Sequence, residues 1–179
     1  MIITISGDPG SGKSTLGRML AAEFGIPFFS MGDVRREFAA DQGMTITELN
    51  ERAKTDATSD ELVDNFQSTL PEKHESFVID SRLGFHFIPQ SVKIFVHCEP
   101  NEAARRILEQ NREGESFSTV EEGAQSIVER RAMDTERYLQ LYHIDPTDEA
   151  HYDFVIDSTN ITPMEKMDKV LAFLKDNTP

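Results

Sequence analysis

A single cysteine, Cys98, is all the thiol this 179-residue chain holds, so no internal disulfide can form, and the usage fits a reducing compartment. Cys98 closes the apolar run "VKIFVHC", which reads as core packing rather than chemistry. Long hydrophobic runs are missing too: none approaches the roughly 20 residues that cross a bilayer. The opening "MIITISGD" has no basic stretch before it and runs straight into a motif, unlike a signal peptide. The expectation is a cytoplasmic protein without membrane association. Positive charge is scarce, with 18 Lys and Arg against 32 Asp and Glu and a formal net charge of −14. Such a field repels nucleic-acid polymers and anionic lipid, but it leaves room for a focused cationic pocket that takes a small phosphorylated ligand. The five histidines show no metal-ligand spacing, and there are no internal repeats or low-complexity stretches.

What is present points to one globular domain. Hydrophobic residues make up 38% of the chain and twelve are Phe, enough for a substantial core. Short runs rich in β-branched and aromatic residues recur: "IITIS", "PFFS", "FVID", "VKIFVHC" and "DFVID". Between them lie helical periods, such as Leu16, Met19, Leu20 and Phe24, or Met167, Val170, Leu171 and Leu174. Helix starts are marked by S/T-x-x-E boxes at Thr45–Glu48, Thr58–Glu61, Thr119–Glu122 and Thr162–Glu165, the last with Pro163 at the first helical position. Strands that alternate with helices, and that are apolar throughout, predict βαβ units and a parallel sheet covered on both faces. Two polar helical stretches, Gly32 to His74 and Asn101 to Tyr142, are too long for simple crossovers and read as mobile inserts.

The chemistry begins at "GDPGSGKS", Gly7 to Ser14, which matches G-x-x-x-x-G-K-[ST] after a predicted strand and before a helix. Glycines let such a loop wrap backbone N–H groups around phosphate oxygens, and the helix N-terminus adds the positive end of its dipole. The nucleotide-binding stretch is Gly7, Asp8, Pro9, Gly10, Ser11, Gly12, Lys13, Ser14 and Thr15. Lys13 would reach the β/γ-phosphates, and the Ser14 hydroxyl would ligate Mg²⁺. Asp80, at the end of the first "FVID", suits the second Mg²⁺ position. Asp157, at the end of the second, reads as a strand-end or helix-capping residue, and the Asp8 side chain as pointing away from the nucleotide.

No N-K-x-D occurs, which argues against a GTPase, and a motor ATPase would usually be longer. A kinase of small anionic acceptors needs cations on the acceptor side of the γ-phosphate and arginines that close over the transferring group. "SMGDVRRE" supplies Arg35 and Arg36 and "DSRLG" supplies Arg82; later come Arg105, Arg106, Arg112, Arg130, Arg131 and Arg137. In "VERRAMDTERY" Arg130 and Arg137 lie seven residues apart, about two helical turns, and face the same way with Asp134 between them.

With these residues in place the chain resembles the P-loop nucleoside monophosphate kinases, and among them the cytidylate kinases of the short archaeal type. The carriers are "MIITISGDPGSGKST", "SMGDVRRE", "IDSRLG", "REGES", "ERRAMDTERYLQLYHID" and "YDFVIDST". The sequence departs from the bacterial pattern at Ser81, Met133 and Met31, where a glycine, an arginine and a serine are frequent. The resemblance implies an α/β P-loop kinase fold with a five-stranded parallel sheet in the order 2-3-1-4-5. It further implies a core over about 1–31, 75–100 and 143–179, an acceptor-binding insert over about 32–74, and a lid with flanking helices over about 101–142. By position, Arg36 and Arg82 would hold the acceptor phosphate, with Ser30 and Asp33 nearby. Arg106 and Arg112 would flank the lid, Arg130 and Arg137 would converge on the transferred phosphoryl, and Asp134 would contact the pyrimidine. Arg131, a quarter-turn away, reads as a solvated face. The implied reaction is ATP- and Mg²⁺-dependent transfer to CMP or dCMP by a monomer whose partners are small-molecule nucleotides. Transfer to AMP, UMP, shikimate or gluconate, or a silent regulatory protein, are the alternatives.

Overall fold

The apolar runs become strands of one parallel sheet in the computed structural model, which describes residues 1–53, 56, 58–109 and 117–177. β1 (Ile2–Gly7), β2 (Phe28–Ser30), β3 (Phe77–Asp80), β4 (Val92–His97) and β5 (Phe154–Asp157) lie in the order β2-β3-β1-β4-β5. All four pairings are parallel, as the sequence pattern predicts. The helices are α1 (Lys13–Phe24), α2 (Met31–Asp41), α3 (Ile46–Arg52), α4 (Thr58–Lys73), α5 (Gly84–Phe87), α6 (Pro100–Glu109), α7 (Val120–Tyr142) and α8 (Pro163–Asn177).

Successive strand side chains point to opposite faces, so each apolar run feeds two layers. Ile3, Ile5, Val78, Ile94, Val96 and Ile156 pack with Leu16 and Leu20 of α1 and with Met167, Val170 and Leu174 of α8. The alternate residues of β3, Phe77 and Ile79, turn to the other face and meet Met31, Val63, Leu70 and Ile88. Each such side chain contributes about 1.5–3 kcal/mol when fully buried. Cys98 is 1% exposed and packs with Ala103, Ala104, Ile107 and Ile127, and burial pushes its thiol up from the usual range.

The helix starts are mostly those the boxes mark. Thr45 and Glu48 form a reciprocal capping box at α3, and Thr162 and Glu165 exchange the same two bonds before α8. The other two boxes differ. Thr58 lies inside α4, and its N–H donates to Asp56 Oδ1 at 2.9 Å, so an aspartate two residues earlier does the capping. At α7, Thr119 caps Glu122 N–H, but the Glu122 carboxylate reaches back to Ser118, not to Thr119.

Pairing in register brings strand ends together: Ser30 lies beside Asp80, and Ile5 beside Asp80 from the other side. Gly7, Ser30, Asp80, His97 and Asp157 thus share the carboxyl edge of the sheet, where folds of this kind bind ligands. Among the described residues no helix is long and apolar enough to cross a membrane.

Candidate active site

The loop that leaves β1 is shaped by glycine. At Gly7, with φ at 136°, an added Cβ would fall 2.1 Å from the Val96 carbonyl oxygen, so only glycine lets the loop pass that close to β4. Gly12 precedes α1 as its N-cap, which leaves the first N–H groups of the helix open toward the loop. Lys13 Nζ donates to the Asp8 carbonyl at 2.6 Å. Ser14 Oγ donates to Asp80 Oδ2 at 2.5 Å, joining the loop to the tip of β3. Ser11 is fully buried, and its hydroxyl has no hydrogen-bond partner among the described residues. Pro9 is buried and Gly10 half-buried, while Thr15 faces solvent.

The Asp8 side chain belongs to a different network. It is 3% exposed, accepts the Cys98 N–H at 3.1 Å, and meets His97 Nδ1 at 2.6 Å. Arg131 of α7 reaches its other oxygen at 3.2 Å. Arg131 is therefore no solvated helix face: it ties α7 to the loop. Asp157 accepts the Thr159 N–H at 2.8 Å in a turn after β5, a strand-end role.

On the far side of the β3 tip runs a relay of alternating charges. Arg82 Nε sits 3.0 Å from Asp134 Oδ2, and Asp134 Oδ1 accepts from Arg137 Nη2 at 3.1 Å. Arg137 Nη1 continues to Asp60 Oδ2 at 3.3 Å, and Asp60 Oδ1 accepts from Arg35 at 2.9 Å. The chain Arg82–Asp134–Arg137–Asp60–Arg35 so links the end of β3 to α7, α4 and α2. The Arg137 guanidinium also lies 4.8 Å above the Tyr138 ring. Burial, reinforced by Asp134, pushes the Tyr138 phenol up, so it stays a neutral partner of the arginine. Arg130 sits half-buried on the same helix, one turn before Asp134.

Ser30, Asp33 and Arg36 form a second group at the start of α2. Ser30 Oγ accepts the Asp33 N–H at 3.2 Å, and Arg36 pairs with the Asp33 carboxylate. Burial works against its ionisation, yet Arg36 holds the Asp33 carboxyl below the usual carboxylate range. Arg36 and Arg82 thus engage different carboxylates. Arg106 lies by the turn after β5, where Nη2 donates to the Ser158 and Thr159 carbonyls at 2.8 and 3.1 Å and Nε to Glu102 at 2.8 Å. Arg112, with the rest of "REGES", falls outside the described residues.

Sequence reasoning left out Asp60 and Lys166 and gave Arg35 no role of its own. Asp60, 4% exposed, gave no local signal, since its partner Arg137 is 77 residues away. Arg35 stood only as one of two adjacent arginines. Lys166 was legible: it precedes Val170 by four residues, which puts it on the buried stripe of α8.

The hydroxyl–carboxylate pair Ser14–Asp80 suits a hard cation of the Mg²⁺ type, which takes one or two protein oxygens and fills its other positions with phosphate and water. No group of three or more His, Cys, Asp or Glu able to hold a metal occurs among the described residues.

A family model described as the cytidylate kinase-like family matches residues 2–160. The chain is 35% identical to a cytidylate kinase of Methanococcoides burtonii over 159 residues, 89% of this chain and 88% of that one. It is also 33% identical to an S-adenosylmethionine-dependent nucleotide dehydratase of Lacinutrix mariniflava, covering 94% of this chain but only 35% of that longer one. Among solved structures, a shikimate kinase from Bacteroides thetaiotaomicron superposes with a TM-score of 0.69 over 98% of each chain at 16% identity, a likeness of fold.

Proposed function

The chain belongs to the cytidylate kinase-like family and is a nucleoside monophosphate kinase, and from that premise we propose that it moves the γ-phosphoryl of ATP to CMP or dCMP. The observation that carries the reading is the pairing of Ser14 with Asp80 at 2.5 Å, beside the relay through Arg82, Asp134 and Arg137. A donor cradle and a cluster of cations for the acceptor side then share the carboxyl edge of one sheet.

In this reading the backbone of Gly7–Ser14 and the Lys13 ammonium hold the donor phosphates. Ser14 and Asp80 would hold a Mg²⁺ ion, which would supply charge compensation for the donor phosphates. Arg36 and Arg82 hold the acceptor phosphate, one of whose oxygens attacks the γ-phosphorus in line as the bond to the ADP oxygen breaks. Arg130 and Arg137 stabilise the equatorial oxygens, where charge gathers as the phosphoryl passes. Asp60 and Asp134 keep Arg82 and Arg137 oriented before phosphates arrive, and each guanidinium has N–H donors to spare for them. Residues about 32–74 form the acceptor-binding insert, and about 101–142 the lid with its flanking helices, so closure over the nucleotides excludes water.

The choice of cytosine is supported by the names of the relatives and by the chemistry of Asp134 and Asp33. A carboxylate accepts from the cytosine N4 amine, where uracil presents a carbonyl oxygen with no proton to give. The test is to incubate the protein with γ-labelled ATP, Mg²⁺ and CMP and to identify the product. Label should appear in the β-phosphate of CDP. Release of inorganic phosphate alone would refute the transferase reading.

A further inference from the structure

Lys166 has no part in the chemistry above, yet it is only 3% exposed. It reaches from the first turn of α8 to the underside of the loop, where Nζ donates to the Ser11 carbonyl at 2.7 Å and the Gly12 carbonyl at 3.3 Å. The fit is close: a Cβ added at Gly12 would lie 2.7 Å from Nζ. No carboxylate among the described residues pairs with it. The titratable groups that face it are Arg106 of α6 and the Cys98 thiol after β4. Arg106 is already directed at the Ser158 and Thr159 carbonyls and at Glu102.

We propose that Lys166 is a positioning residue for the donor phosphates, holding the Ser11 and Gly12 carbonyls from behind the loop and adding its charge to the phosphate side. The proposal rests on reading Gly7–Ser14 as the donor cradle. A trans peptide sets C=O and N–H antiparallel. With the two carbonyls turned toward Lys166, the N–H groups of Gly12 and Lys13 point to the opposite side, where an anion would sit.

The carbonyls do not need the lysine as a mere tether. Gly12 O also accepts the Leu16 N–H at 3.0 Å, and the Ser158 hydroxyl, which has one proton to give, lies 2.8 Å from the His97 carbonyl and 3.1 Å from Ser11 O. Because the His97 carbonyl also accepts the Ser158 N–H at 2.8 Å, the hydroxyl is free to turn to Ser11 O when Nζ is removed, so neither oxygen is orphaned and what is lost is charge. An unpaired buried cation weighs against folding, and this one gains a counter-charge only when a polyphosphate arrives. Burial, aided by the Arg106 charge, draws Lys166 down to about 8. Phosphate oxygens on the far side of the loop favour the charged form, so binding should draw a proton onto Lys166.

The experiment uses ADP as probe in metal-free buffer, titrated calorimetrically into the full chain and into Lys166→Met. The variant should bind ADP about tenfold more weakly, the size expected of one charge acting across a partly buried site. Its ligand-free melting temperature should equal or exceed that of the parent. The parent should take up protons on binding ADP near pH 8, seen as heat that varies with the buffer, and the variant should not. Equal ADP affinity in the two proteins would overturn the proposal, as would absence of proton uptake in the parent. Weaker binding coupled to a lower melting temperature would also overturn it and make Lys166 a simple tether. Should the variant not fold, the parent's proton uptake decides alone. Failure of the parent itself to bind ADP would instead sink the reading of the loop as the donor cradle.

Discussion

Replacing Arg137 by alanine withdraws one donor from Asp60 and another from Asp134. The two contacts measure 3.3 and 3.1 Å, and the arginine side chain is 18% exposed. Breaking a buried pair costs roughly 3–5 kcal/mol when it strands the remaining charge. Here neither carboxylate is stranded, because Asp60 keeps Arg35 at 2.9 Å and Asp134 keeps Arg82 at 3.0 Å. The loss of stability should accordingly be about 1–2 kcal/mol, the net value of hydrogen bonds to charged groups. The effect on turnover should be larger. Removing one group aimed at developing charge lowers kcat by on the order of 10²–10³. Binding of CMP and ATP in the ground state should change little, because the interaction forms mainly in the closed transition state. A coupled ADP-release assay and urea unfolding on the same preparation give both numbers. A variant with wild-type kcat and only a raised KM would make Arg137 an ordinary binding residue. A stability loss of about 3–5 kcal/mol would mean that Arg35 does not hold Asp60 by itself.

Lys13→Ala should abolish transfer while leaving the melting temperature unchanged; turnover near that of the parent would refute the assignment of Gly7–Ser14 as the cradle. Lys166 sets a stability–pH dependence in the ligand-free chain. Held at about 8 when folded, against an ordinary 10.5, it is charged in both states below pH 8, and its burial then weighs on stability in full. Between 8 and 10.5 the unfolded chain binds a proton that the folded chain has shed, so this group's contribution should rise with pH across that window and stay flat below it. Urea midpoints of the parent minus those of Lys166→Met, followed from pH 7 to 10, measure it. A difference that does not change with pH would contradict the burial of a charged lysine.

The sheet was legible because its signal is local: five apolar runs, each doubly covered, separated by helical periods. Gly7–Ser14 was legible for the same reason, since loop, strand and helix are contiguous. The face of α7 that carries Arg130, Asp134 and Arg137 followed from helical spacing alone. What escaped depended on partners distant in the chain. Asp60 looked like one more acid of a polar helix until the fold set it against Arg137, and Arg131 looked solvated until α7 crossed to Asp8. The box at Thr58 failed for a nearer reason, because Asp56 competes for the same N–H. Lys166 shows the converse. Its position on the α8 stripe was readable, but only the packing of α8 under the loop says what a buried ammonium meets there.

The acceptor is decided by kcat/KM for CMP, dCMP, UMP, AMP and GMP, with shikimate and gluconate alongside, at fixed ATP and Mg²⁺. CMP should lead, with dCMP near it. UMP should trail by up to roughly 10⁴–10⁵, the discrimination reached when a mismatched analogue leaves buried hydrogen-bonding groups unpaired. Preference for AMP or GMP, or activity only on shikimate or gluconate, would contradict the assignment of CMP while leaving the kinase fold intact.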